Sequence, residues 1–375
     1  MGMPMSAPRR WWRAAAAPVL VAALPALVLV ASSGAPGTAS GPAPGPGSGS
    51  GPARAGATTV TPMELATAFV RRRQVVAPGL ARAVAPVSTR SYSGSIDTRS
   101  RATVNSAYWS MFEDGLDLPI GWTGSNSGCV RGSTSSQSRS ATLSSINFVR
   151  RLAGLAPVRF SSTLNSHAQA AALIMSANGQ LNHFPPSTWR CYTKTGAQTA
   201  SRSNLALSQP SITSGGIVAM YMDDPGAANY GVGHRRWVLN PFATTMGSGS
   251  TSTTNALQVV GPTSRKRPNP AYVGWPTKGW FPNALEPNGR WSLSAGNKRT
   301  NFRYASIHVY RGTTSIKVHK YRVENGYAQP TLVWQMPDNL SPTGSYRVVV
   351  KGIRHRGSAK RFQTSYTVKL FTPTR

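Results

Sequence analysis

The chain has 375 residues, 40% of them hydrophobic, enough for roughly two or three domains with buried cores, which excludes a wholly disordered polymer. Its 41 Lys and Arg against 10 Asp and Glu give a formal charge of +31. That excludes a neutral surface and permits nucleic acid, anionic lipid or acidic cell-wall polymer as partners, without choosing among them.

In chain order, Arg9, Arg10 and Arg13 precede a nearly unbroken apolar run from Ala14 to Ala31, and Gly37-Thr38-Ala39 offers small residues for cleavage. This predicts a signal peptide over 1–39 and a secreted, extracellular protein; the alternative is an uncleaved N-terminal helix that anchors it. No second apolar run is long enough to span a bilayer. Residues 40–60 are Gly, Pro, Ser and Ala with almost no large side chains, the composition of a disordered linker. Residues 61–141 read as an N-terminal extension. It has a weak helical pattern at Met63, Leu65, Phe69 and Val70, then a polar stretch whose Tyr108, Trp109, Phe112 and Trp122 are expected to pack onto the following domain. Cys129 and Cys191 are the only two cysteines, and in an exported chain such a pair is most simply one disulfide.

Leu143, Ile146, Val149 and Leu152 mark a helix stopped by Gly154 and Pro157. A second begins at Thr163, carries Ala168, Ala171 and Ala172 on a face suited to close approach, and closes at Asn178-Gly179. A third is expected from about Ile212 to Met222, ended by Asp224-Pro225-Gly226. Val238-Leu239 and Leu257–Val260 read as short strands. From Arg265 the period turns to two, in runs around Trp291, Ile307, Ile316, Thr331, Tyr346 and Tyr366, which predicts an antiparallel β-sandwich over 270–375.

The stretch Gly231 to Pro241 sets His234 directly after Gly-x-Gly. About ten residues upstream stand Asp223 and Asp224, the only carboxylate side chains between Asp117 and Glu286. Either they hold the fold together or they belong to a site. For Asp224 an Asx turn before Pro225 is a sufficient structural reason. Arg235 and Arg236 are expected to pair with the two acids. His167, His308, His319 and His355 have no acidic partner nearby in sequence and read as packing or surface residues. No Gly-x-Ser-x-Gly elbow, HExxH or P-loop occurs.

Several of these segments, in order, resemble the CAP superfamily (cysteine-rich secretory proteins, antigen 5 and pathogenesis-related 1 proteins) in its bacterial secreted, SCP-like form. They are Ile146 to Val158, Leu164 to Ala172, Gln180 to His183, Ser203 to Ala206 and Gly233 to Pro241. The resemblance implies an α+β chain. An α-β-α sandwich CAP domain over 142–262 would be followed by an all-β, immunoglobulin-like sandwich over 270–375 and preceded by the signal peptide and disordered linker. It also implies a cleft lined by His183, Ser203, Asn204, Asp223, Asp224 and His234. Ser203 stands where the family often has an acid. A divalent metal such as zinc would take His183, His234 and Asp224 as ligands. Catalytic residues are not assigned. The expected function is a non-enzymatic extracellular or cell-envelope binding module for cell-wall polymer, lipid or envelope protein, with peripheral membrane contact and no specific nucleic acid. The alternative is a metal-dependent hydrolase using the same cleft.

Overall fold

The computed structural model describes residues 96–375. The expected signal peptide, linker and first helix of the extension lie outside the described residues.

The described part of the extension contains a helix within the polar stretch. Helix α1 (Arg101–Met111) is started by Ser100, whose hydroxyl accepts from Thr103 N at 3.2 Å. Ser and Thr start three more helices by the same device, satisfying a backbone N–H that has no partner within the helix: Ser135 for α2 (Ser136–Leu152), Ser161 for α3 (Ser162–Asn178) and Thr193 for α4 (Lys194–Ala200). Helix α5 (Ser214–Asp223) and the short α6 (Gly233–Val238) complete the helical set among the described residues. The third predicted helix is thus present with a later start. Val238, expected in a strand, instead closes α6, because the Gly231-x-Gly233 segment turns the chain into a helix through Val232 at φ +48°.

Strands β1 (Arg159–Phe160), β2 (Ser203–Leu207), β3 (Thr245–Ser250) and β4 (Thr254–Gln258) form one sheet in the order β1-β3-β4-β2. Neighbouring residues face opposite layers. Leu205 and Ala256 pack with Ala168, Ala171 and Ala172 of α3, whereas Ala206 and Leu257 join the larger core with α2 and α5. The alanine face of α3 does approach a neighbour closely. A Cβ on Gly249 would stand 2.1 Å from Gln169 N, so the helix backbone rests on the glycines of β3.

The C-terminal part is two sheets. One runs β10-β9-β13-β14-β6, with β8 beside β13, and is built from β6 (Gly279–Pro282), β8 (Thr300–Asn301), β9 (Ser306–Arg311), β10 (Thr314–Ile316), β13 (Gly344–His355) and β14 (Arg361–Phe371). The other, β11-β12-β7-β5, uses β5 (Tyr272–Trp275), β7 (Arg290–Ala295), β11 (His319–Lys320) and β12 (Thr331–Gln335). Trp291 of β7 meets Tyr346 of β13 across the gap, ring centroids 5.8 Å apart, and Trp275, Trp334, Val348 and Val368 are buried with them. The period of two identified most of these strands. It missed β5 and β6, which are only four residues each, and the two-residue β8; β6 pairs with β14 in parallel within an otherwise antiparallel sandwich.

The extension joins the two parts. Helix α1 packs on α2 and β6. Asn105 and Trp109 both donate to Thr374 O, at 2.6 and 3.0 Å, and Tyr108 and Phe112 are buried against Phe148. Cys129 and Cys191 form the disulfide, at a sequence separation of 62 residues.

Candidate functional site

Helix α5 ends at Asp224, whose backbone adopts φ +50°. That left-handed cap turns the chain back, so the side chain of Asp224 meets the start of α6 instead of solvent. Its carboxylate is fully buried and accepts twice: from His234 Nδ1 at 2.8 Å and from the backbone N–H of Arg235 at 3.2 Å. One acid thus orients an imidazole and satisfies a free N–H in the first turn of α6, where negative charge also suits the helix dipole. An Asp here is both the helix terminator and a site residue.

Asp223 faces the other way. Its Oδ2 accepts from Asn288 Nδ2 at 2.7 Å, in the β-sandwich part.

His234 is held on more than one side. Tyr221, one turn before the end of α5, stacks on its ring at 5.4 Å with 25° between planes. The Tyr221 hydroxyl donates to Asn255 Oδ1 at 2.8 Å, and its pKa is pushed well up by burial. Asn204 Nδ2 donates to His234 O at 3.0 Å, so Asn204 secures the backbone of α6. Tyr221 and Asn255 were missed in sequence. Tyr221 stands on the helix that ends in the acids, but only the packing reveals that it faces the imidazole.

His183 follows the α3 cap in a segment pinned by Cys191. Its Nδ1 donates to Ala200 O, the end of α4, at 2.9 Å. Its pKa is lowered, first by burial; the bond to Ala200 O opposes the shift, and His234 adds a smaller lowering. Both rings direct Nδ1 at a protein acceptor, so Nε2 is the nitrogen each has left for a ligand. Ser203 is buried and gives its hydroxyl to Thr199 O at 2.8 Å.

The structure therefore brings together His234, Asp224 and Asn204, while His183 is tied to Ala200 and Ser203 and Asp223 face other partners. Asp224, expected as a third metal ligand, stands behind His234: an oxygen bonded to Nδ1 cannot also bind a metal held on Nε2 of the same ring. No group of three or more His, Cys, Asp or Glu placed to hold a metal ion occurs among the described residues. The donor set does not fit a three-ligand zinc site.

Arg235 and Arg236, expected to pair with the acids, are instead buried among carbonyls. Arg235 donates to Met222 O, Asp223 O, Arg290 O and Ser292 Oγ, and burial pulls its pKa down to about 10. Arg236 donates to Tyr327 O and Gln329 O and lies 3.9 Å over the Tyr327 ring. Both side chains dock α6 onto the β-sandwich part. Arg290 returns the contact, donating to Asp224 O at 2.8 Å and Gly226 O at 2.9 Å.

Among the described residues no helix is long and apolar enough to cross a membrane. A search of curated proteins returns no match. Among solved structures, the chain is similar to two crystal structures of PcoC from Escherichia coli, described as a methionine-rich copper resistance protein and, in selenomethionine form, as a copper resistance protein. Identities are 12% and 13%, coverage is 26% of this chain and 93% and 95% of theirs, and both TM-scores are 0.20. The model of the cysteine-rich secretory protein family, CAP, matches residues 143–261. That span runs from α2 through the sheet and both histidines, and residues 143–261 are a CAP domain.

Proposed function

We propose that this is a secreted protein whose CAP domain and appended sandwich, read as immunoglobulin-like, bind a component of the cell envelope without turning it over. The observation that carries this is the commitment of the site's reactive groups. Both Asp224 oxygens are used inside the fold, and the Ser203 hydroxyl is spent on Thr199 O. Among the described residues, the imidazoles of His183 and His234 remain, with no hydroxyl or thiol nucleophile and no further carboxylate bonded to either. The excess of basic residues favours an anionic partner: a cell-wall polymer, a lipid surface or an envelope protein. The disulfide accords with an oxidising compartment.

A second reading, a metal-dependent hydrolase, has one observation in its favour. Each histidine has its Nδ1 fixed by a carboxylate or carbonyl, as metal-ligating histidines commonly do. The two separate by experiment. Purified cell walls and anionic vesicles are incubated with the protein, with and without zinc, and both retention and released soluble fragments are measured. Salt-sensitive retention without release is expected, unchanged in a His183→Ala/His234→Ala double variant. Release that needs either histidine would establish the hydrolase.

A further inference from the structure

The six-stranded sheet of the sandwich turns one face to the core; the other is exposed along β13, while α1 lies against β6. On β13 the buried residues are Tyr346, Val348, Val350 and Ile353, so Arg347 and Lys351 point outward, and Arg354 follows beyond the irregularity at Val350/Ile353. Lys369 on β14 stands opposite Ser345, extending the same row. At ~3.3 Å per residue the row from Ser345 to Arg354 is about 30 Å long. None of the six strands contains an Asp or Glu.

Three of the four cations are braced by aromatic rings. Arg347 lies 4.5 Å over Tyr310, Lys369 5.3 Å over Trp280, and Arg354 4.7 Å over Tyr304. Such stacking holds a long side chain in place and reduces the entropy lost when it binds an anion. A line of fixed positive charge without base-reading groups suits a chain of regularly spaced phosphates.

We propose that the outer face of β9-β13-β14 is a docking surface for a phosphodiester-linked anionic polymer of the cell wall, held along Lys369, Arg347, Lys351 and Arg354. It is remote in role from the histidine pair and rests on the envelope reading only for the choice of polymer.

The test titrates the protein with a soluble polymer of phosphodiester-linked glycerol units across a range of salt. Arg347→Ala/Lys351→Ala/Lys369→Ala should bind at least about tenfold more weakly near physiological salt and flatten the dependence of log Kd on log salt by about two to three. Lys194→Ala/Arg265→Ala/Lys266→Ala removes the same charge from exposed positions off this face and should stay within about threefold of wild type. Should the first variant not fold, Arg347→Gln/Lys351→Gln/Lys369→Gln replaces it. Equal losses in face and control variants would overturn the proposal by reducing it to net charge. Duplex DNA or anionic vesicles bound as tightly as the polymer would overturn the choice of partner. His183→Ala/His234→Ala should bind the polymer as wild type does. A loss there would move the polymer to the histidine site and overturn the assignment, whereas histidine-dependent hydrolysis with polymer binding intact would defeat only the preceding reading.

Discussion

At the scale of single residues, protonation of His183 is set by its surroundings. An unfolded histidine titrates near ~6.5, and burial holds the folded value below that. Between the two values the unfolded chain binds more protons than the folded one. The stability due to neutral His183 is therefore fully present above the ordinary histidine range, falls as pH drops through it, and stops falling below the folded value. Urea midpoints of wild type and His183→Gln, measured from pH 8 to pH 5, should show a steeper acid loss in wild type. Parallel curves would mean that His183 is not held neutral by the fold. Asp224 makes the complementary point. Its place before Pro225 in sequence is a sufficient reason for a turn-forming acid, yet the same side chain also orients His234.

At the scale of elements, the short helix α6 is the part most dependent on its neighbours. Six residues are too few for a helix to persist alone in water. It is held by Asp224 at its start and by two buried arginines that reach the sandwich. Arg235→Met would leave the carbonyls of Met222, Asp223 and Arg290 without this buried donor, each costing ~1–3 kcal/mol. A loss of more than about 3 kcal/mol is expected in chemical denaturation, together with a shifted His234 resonance in proton NMR. A loss under about 1 kcal/mol would show that the arginine is not the tie between the parts. The reason sequence pairing of these arginines with Asp223 and Asp224 misled is specific. Nearness along the chain suggests an ion pair, but the side chains end on backbone carbonyls, those of Met222 and Asp223 nearby and others across the interface 55 or more residues away.

At the scale of the molecule, three ties join the CAP domain, the extension and the sandwich: the arginines of α6, helix α1 with its bonds to Thr374, and the disulfide that pins the extension to the His183 segment. Closing a loop of 62 residues restrains the unfolded chain by ~4 kcal/mol in the chain-entropy model. Reduction, or Cys129→Ala/Cys191→Ala, should therefore lower Tm by several degrees at constant pH. An unchanged Tm would mean that the unfolded chain keeps the two segments together without the bond.

The sequence by itself determined the local elements and the family. Apolar spacing of 3.6 marked α2 and α3, a period of two marked most of the sandwich, and five ordered segments carried the CAP resemblance, because each of these signals is written in neighbouring residues. It did not reveal β3, whose Gly, Ser and Thr carry no apolar alternation and which is a strand because α3 packs on its glycines. Nor did it reveal that Asp224 stands behind His234, that Arg235 and Arg236 serve the interface, or that Lys369 joins the row of β13. Those relations depend on which side chains meet after elements distant in the chain are brought together. Burial then decides their chemistry, since a polar group removed from water takes whatever partner the packing supplies.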